Sequence, residues 1–547
     1  MKKLILIIIL VILVASAYFL VSEPEAVSQN TPSSNHQPEY GGTLVVGIPR
    51  DVDTFNPLFT ETLFGWEIVH LMLLGLADLN DRSEFEPELA TSWEHSGDLL
   101  KLTYHLRKDA VWADGVPVTA EDVKFTFDLL MDTSIASPHR DKLEFVKSVS
   151  IVDSHTVTIE FTEAYPYQVF DTAGEVLPKH ILEKVDRKAL RSDPFGRTPL
   201  SSGPFVMKEW KNQQYIELVA NEHYFGGRPY LDRVIFKIIP DNTNLMTQLQ
   251  TGEVDMVINV PPQEVKRLKE ASSNIRFYST SGRVYHYIGY NTKNPRFSSP
   301  TTRQALTMAI DRQGIIDALL YGYGKACTGH IAPLLSWAYN ETVKPISYDP
   351  KAASQSLAKE GWTDSDGDGW LDKNGKPFEF NIKADAANRT KMDVAVIVQE
   401  QLKKIGIKVN IKSLEWTTFV ESLSDDDLEA WVGGWSTSLY VDPTPVFHST
   451  ANKDLFNYGH YANPEVDRLI EAGREEVDRK KAAAIWHELQ EIVYREQPYT
   501  FLYWIDRIIA VNNRFQNVTP IPLSALYNLE RWYQTPAPTA MKGNDSN

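Results

Sequence analysis

Apolar and polar positions alternate over Leu100–Leu106, placing Leu100, Leu102, Tyr104 and Leu106 on one face; this period of two predicts a half-buried strand. The same alternation across Ser148–Glu163, broken at Asp153-Ser154, predicts a strand pair, and TLVVGI, FVMKEW, YIELVAN, VIFKIIP, FEFNIKAD and FLYWI read likewise. After Thr119 the period lengthens. T-A-E-D supplies an N-cap and first-turn acids ahead of Val123, Phe127 and Leu130, which predicts a helix. Helical spacing recurs at Leu245 and Leu249 up to Gly252, and over Arg303–Gly324 as one helix. It appears again after Pro350, after Lys391 up to a stop at Gly406, and over Asn463–Pro498 as one last helix. The stretch to about residue 202 is therefore α+β, and the remainder alternates strand with helix, which favours α/β layers.

A length of 547 residues exceeds one ordinary core, so two or three lobes are expected. The formal charge of −17 with no basic block excludes nucleic acid as a partner, because phosphate binding needs clustered positive charge. The single Cys327 excludes a disulfide framework and any cysteine-based zinc or iron–sulfur site; it reads as a small buried apolar residue. Met1-Lys2-Lys3 followed by the uncharged run Leu4–Val21 predicts export, with the lysines held on the cytoplasmic side. Ala15-Ser16-Ala17 offers a cleavage site, yet cutting there leaves Tyr18-Phe19-Leu20-Val21 at the new terminus, so a cleaved signal peptide and a retained anchor both stand. No Cys follows the run, so a lipoprotein is excluded. Residues 22–39 read as a flexible tether and 541–547 as a disordered tail.

The motifs of common enzymes are missing: there is no GxSxG, HExxH, GxxxxGK[ST], or GxGxxG between strand and helix. The chain is expected not to be an enzyme. Asp364–Gly375 (DSDGDGWLDKNG) places Asp364, Asp366, Asp368 and Asp372 at positions one, three, five and nine of a calcium-type loop, with Gly369 at six and the Trp370 carbonyl at seven. Position twelve is Gly375 where such loops carry a bidentate Glu. A weak structural calcium and a metal-free Asp-Gly turn therefore both stand. A second candidate region is Gly433–Ser449. Gly433-Gly434 lets the backbone approach something closely, Trp435 and Tyr440 offer flat faces, and Asp442-Pro443 starts a turn.

Several motifs taken in order carry a resemblance: GGTLVVGIPRDVDTFNP, FEPELATSW, YHLRKDAVWADGVPVTAEDVKFTFD, SSGPF, TGEVDMV, TRQALTMAIDR, QLKKIGIKV and GHYANPEVDRLI. Over about residues 40–535 the chain resembles extracytoplasmic solute-binding protein family 5, the peptide, nickel and oligosaccharide receptors of ABC importers. The resemblance implies a two-lobe periplasmic binding protein fold of α/β class (type II, cluster C) with an additional α+β domain. Lobe I would comprise 40–75, 203–282 and 512–540, the extra domain 76–202, and lobe II 283–511. It further implies capture of a solute between closing lobes and delivery to a membrane permease driven by an ATPase, by a monomer that needs no cofactor.

In peptide-binding relatives a Trp at the place of Trp435 is followed three residues on by an Asp that holds the ligand's α-amine. Ser438 stands there, and a neutral hydroxyl cannot balance a buried ammonium. Asp442 is the nearby replacement. Arg389, beside Lys383 and Lys391, lies where relatives supply a cation; Phe55, Asn56, Tyr285, His286, Tyr287, Trp416 and His448 complete the candidates. Oligopeptide is the default solute. An oligosaccharide or chelated metal, or an anchored envelope sensor or chaperone-like binder of the same fold, are the alternatives.

Overall fold

The computed structural model describes residues 38–425, 427–451 and 455–535. The signal or anchor segment, nearly all of the tether, and the tail lie outside the described residues. Among the described residues no helix is long and apolar enough to cross a membrane.

An eleven-stranded sheet runs through the molecule. Its order begins Lys408–Leu414, Glu379–Asp385, Ala430–Ser436, Ile275–Tyr290 and Tyr499–Asn512. It continues through Met256–Val257, Thr43–Ile48, Arg233–Ile238 and Tyr215–Ala220 to Phe205–Lys211, with Gly324–Ala326 added on Tyr499–Asn512. Two strands are much longer than the rest, and they pair with each other twice. Ile275–Ser281 runs antiparallel to Asn512–Asp506, and Tyr285–Gly289 to Trp504–Tyr499, with the register broken between. The first run joins a sheet that includes Thr43–Ile48 and Arg233–Ile238, and the second joins one that includes Ala430–Ser436. The break falls at Gly282, where an added Cβ would lie 2.2 Å from the carbonyl oxygen of Ile505. Only glycine allows that approach.

Buried apolar side chains divide accordingly. One core holds Phe55, Tyr104, Trp112, Phe205 and Trp532, and two others hold Tyr285, Trp431, Trp486 and Trp504, and Phe297, Phe378 and Tyr503. A separate four-stranded antiparallel sheet (Ala90–His95, Lys101–Leu106, Thr156–Phe161, Val146–Asp153) carries the helix Ala120–Met131. Thr119 and Asp122 form a capping box at that helix start, worth about 1 kcal/mol.

Two expected helices are each divided. Arg303–Gly324 spans most of Pro300–Met308, which starts earlier than expected, and all of Arg312–Leu320, because the Asp311 carboxylate accepts from Gly314 N and starts a new helix. The last helix is Pro464–Glu475 and Arg479–Glu496, with Asp478 capping the second. Side-chain caps inside an unbroken apolar period separate the pairs, a signal that periodicity does not register.

The acidic loop joins helix Pro350–Lys359 to strand Glu379–Asp385 and contains a small hairpin, Asp372–Lys373 with Lys376–Pro377. Asn374 and Gly375 make its turn with φ of 54° and 70°. Glycine thus stands at position twelve because the chain reverses there in the left-handed region.

Candidate functional site

The two long strands carry the sheet through the register break. Ala430–Ser436 ends beside the register break, and Thr437 then ties the following loop to that break. Its backbone N–H and hydroxyl both donate to the Arg283 carbonyl, at 2.9 and 3.1 Å. The expected close approach at Gly433-Gly434 exists, but side chains of the paired strand fill it. A Cβ at Gly433 would meet the Tyr287 ring at 2.3 Å, and one at Gly434 the His286 ring at 2.8 Å.

The loop carries Trp435, Ser438, Tyr440 and Asp442 in different surroundings. Trp435 packs edge-on to Phe456 with ring centroids 4.9 Å apart. Ser438 is exposed, and its hydroxyl accepts from Tyr440 N at 3.1 Å. Tyr440 reaches across to residues of the segment between the small sheet and Lys179. Its ring lies 4.7 Å from both Tyr167 and Phe170, its hydroxyl donates to the Asp171 carboxylate, and Val441 N donates to the Tyr167 hydroxyl at 2.8 Å. Asp442 accepts from Thr444 N at 3.0 Å and faces Arg474 at 3.5 Å.

Burial raises the Asp171 carboxyl to about 6, against the smaller opposing effect of the Tyr440 hydroxyl. A carboxyl whose pKa is raised on folding favours the folded state below its unfolded value and loses that contribution as pH rises through the folded value. Asp171→Asn, which keeps an acceptor for Tyr440, is therefore expected to stabilise the protein by about 1–3 kcal/mol at pH 8 and not at all below pH ~4. Denaturation of both proteins at the two pH values checks this, and an equal difference at both would refute the assignment.

The other candidates separate. Phe55 and Asn56 lie in the core. Both are fully buried, Phe55 lies against Trp210 at 4.9 Å, and the Asn56 carboxamide accepts from Leu58 N at 3.0 Å. Tyr285 is likewise fully buried, its hydroxyl 2.9 Å from His330 Nδ1. His286 is buried with Nδ1 2.9 Å from the Tyr503 hydroxyl, and burial, helped by the Lys391 charge, lowers it to about 4, so it is neutral at physiological pH. Lys391 stands 5.8 Å from the ring of exposed Trp416, and burial lowers its pKa. Arg389 points to solvent, its side chain 92% exposed beside Asp393; Lys383 is occupied by Asp425 and Asp427. His448 bonds Thr450 and Glu471.

Reading the residues alone misses Arg283, Asp171 and Glu67. Arg283 is exposed at the register break, makes no ion pair among the described residues, and has its pKa lowered by partial desolvation and by neighbouring Arg507. Arg507 is itself bound to Glu67 at 2.7 Å. A Gly-Arg pair inside a long β-type run was the available signal for Arg283; Asp171 and Glu67 carry none.

In the acidic loop, Asp364, Asp366 and Asp368 each offer an oxygen within 4.8 Å of the others, all exposed. Asp364 accepts from Gly367 N and Gly369 N, which curls the loop around it, while Asp372 is turned to Ser365.

The description "Bacterial extracellular solute-binding proteins, family 5 Middle" matches residues 84–457. Oligopeptide-binding protein AppA of Bacillus subtilis (strain 168) is 35% identical over 531 residues, 95% of this chain and 97% of that one. The solved structure of AppA from Bacillus subtilis in complex with a nonapeptide superposes with a TM-score of 0.65 over 91% of this chain and 100% of that chain, again at 35% identity. NikZ from Campylobacter jejuni, solved with Ni(L-His), gives 0.67 at 25% identity, covering 90% of this chain and 99% of the other.

Proposed function

The chain belongs to the bacterial extracellular solute-binding proteins of family 5, and from that premise we propose that it is the receptor of an ABC importer, taking up oligopeptides between two lobes and passing them to a membrane permease. The observation that carries the reading is the likeness to an oligopeptide-binding protein along almost the whole of both chains, together with that relative's nonapeptide complex. The two long strands with one glycine-dependent break supply a place to bend, and capture by closure needs such a place. In this reading the protein acts outside the cytoplasm as a monomer and does no chemistry. Lobe I is 40–75, 203–282 and 512–540, with 76–202 the additional domain and 283–511 lobe II.

Within the site, Arg283 replaces Arg389 as the cation that meets a ligand carboxylate, since it is exposed at the hinge and without an acidic partner among the described residues. Asp442 serves the ligand amine in place of Ser438, exchanging its contact with Arg474 for the ammonium. Trp435, Tyr440 and Trp416 supply the flat walls. Mass spectrometry of what is released when natively purified protein is denatured is expected to show a ladder of short peptides. A single sugar or metal chelate would refute the peptide reading and favour the other solutes.

The acidic loop is proposed as a weak calcium site, supported by the convergence of Asp364, Asp366 and Asp368, with the Trp370 carbonyl and Asp372 completing the set once Asp372 leaves Ser365. Calcium at ten times its Kd should stabilise the protein by about 1.4 kcal/mol. An unchanged melting temperature between millimolar calcium and excess chelator would leave the loop as a metal-free turn.

A further inference from the structure

The short hairpin of Ala77–Leu79 with Phe85–Pro87 presents its tip to a distant part of the chain, the segment 334–337 and the start of the helix Arg479–Glu496. The Ser83 hydroxyl donates to the Leu334 carbonyl at 3.0 Å, Arg479 Nη2 to the Ser83 carbonyl at 3.2 Å, and the Ser336 hydroxyl to the Arg82 carbonyl at 3.5 Å. The geometry points to a clasp: the tip of hairpin 77–87 locks onto 334–337 and Arg479 when the lobes close, and its release limits how long the closed form lasts. The inference rests on the two-lobe reading above and gives the additional domain a task that this reading leaves open.

Three features mark a contact built to engage and let go. The tip is shaped before it docks. The Asn80 side-chain oxygen accepts from Arg82 N at 2.9 Å and Glu84 N at 3.0 Å, Asn80 N donates to the Glu84 carbonyl at 2.9 Å, and Ser83 N to the Asn80 carbonyl at 3.0 Å. These bonds lie within the hairpin and persist when the lobes part. The second feature is Ser83 itself, whose φ of 57° lies in the left-handed region that a Cβ disfavours. Glycine would sit there without strain, but only the serine hydroxyl reaches Leu334, so the residue serves the contact and not the turn. The third feature is charge. Arg479, Lys480 and Lys481 fill the first turn of their helix, where the dipole disfavours cations. Burial lowers the Arg479 pKa and the Glu84 charge opposes it, while the guanidinium lies 5.1 Å from the Trp337 ring. Arg82, Ser336 and Arg479 are all exposed, so water replaces each bond as the tip leaves. The contact of Tyr440 with Asp171 joins the same two parts of the chain, but it belongs to the loop that carries the solute site and cannot be separated from capture. The hairpin tip can.

The distance between two spin labels reads the clasp directly. Cys327 is the single cysteine and is buried, so nitroxides go only to cysteines introduced at exposed positions. Arg82→Cys serves on the tip, where only the backbone carbonyl is used, and Glu341→Cys just past the receiving segment. Without peptide, the labelled protein is expected to show a short distance, the clasped form, beside a longer one. Ser83→Gly, which relieves the turn and removes only the hydroxyl, and Arg479→Ala should each lower the ratio of short to long by about 3- to 10-fold. A synthetic nonapeptide of alternating Ala and Ser around a central Tyr should make the short distance dominant. Stopped-flow dissociation of that peptide should quicken by about 3- to 10-fold in either variant, with association unchanged. One short distance that neither variant alters would make the contact permanent, and a wild-type protein without the short distance would have no clasp; either result overturns the inference. Distances that shift while dissociation stays at the wild-type rate would overturn the control of release. A nonapeptide that fails to bind the wild-type protein would overturn the peptide reading alone, because the distances without peptide still decide the clasp.

Discussion

Glu67→Ala is expected to destabilise the protein by about 3–5 kcal/mol, because it strips the counter-charge from a guanidinium that water barely reaches. Glu67 is 5% exposed on the helix Leu63–Met72, and its carboxylate receives Arg507 Nη2 at 2.7 Å, the Ser524 hydroxyl at 3.0 Å and Ala525 N at 3.1 Å. Arg507 lies on the long strand Tyr499–Asn512 just past the register break, with Arg283 close enough to repel it. Removing the carboxylate leaves two neighbouring guanidinium groups at the hinge and orphans a hydroxyl and an amide. Chemical denaturation of wild type and variant measures the loss. Adding Arg507→Ala to Glu67→Ala should recover part of it, since the second change removes the unpaired charge. A single-variant loss under about 1 kcal/mol would mean that water screens the pair and that it does not fasten the helix to the hinge.

Gly282→Ala should weaken both stability and capture. The added methyl would stand 2.2 Å from the Ile505 carbonyl oxygen, a distance that no side-chain rotation relieves because the backbone fixes the Cβ position and the oxygen is itself backbone. The strands must part at the break, at a cost of about 1–3 kcal/mol. Since the same break sets how one half of the sheet continues into the other, peptide affinity should fall by at least about tenfold; a 1.4 kcal/mol disturbance of the bound geometry suffices. Gly97→Ala, where a Cβ meets no atom within 4 Å, is the matched control and should be silent. An alanine variant at Gly282 that melts and binds like wild type would remove the hinge from this account.

What was legible in the sequence is whatever depends on near neighbours. The alternating runs became strands and the 3.6-residue runs became helices, because each period commits one face to burial wherever the element comes to lie. The capping box at Thr119, the left-handed stop at Gly252 and the turn chemistry of Asn374-Gly375 are decided within a few residues. Where two caps interrupt one apolar period, at Asp311 and Asp478, periodicity merged neighbours into one helix. The ordered motifs also carried the family, which the comparisons bear out.

The site was legible only in part. Residue type selected Phe55, Asn56 and Tyr285 as ligand contacts, but an aromatic ring or a carboxamide is as useful inside a core as on a cleft wall, and all three are fully buried. Arg389 had the right charge but faces solvent at a helix start. The groups that the structure brings together come from distant segments. Tyr440 meets Asp171 across 269 residues, and Glu67 meets Arg507 across 440. No local spacing encodes such pairs, because they arise only when the folded chain brings distant segments side by side. The sequence by itself thus determined the elements, the family and the chemistry on offer. Which carboxylate meets which hydroxyl, which arginine is free, and where a hairpin tip lands were decided by the tertiary structure, because burial and electrostatic pairing depend on distance in space, and chain separation does not report that distance.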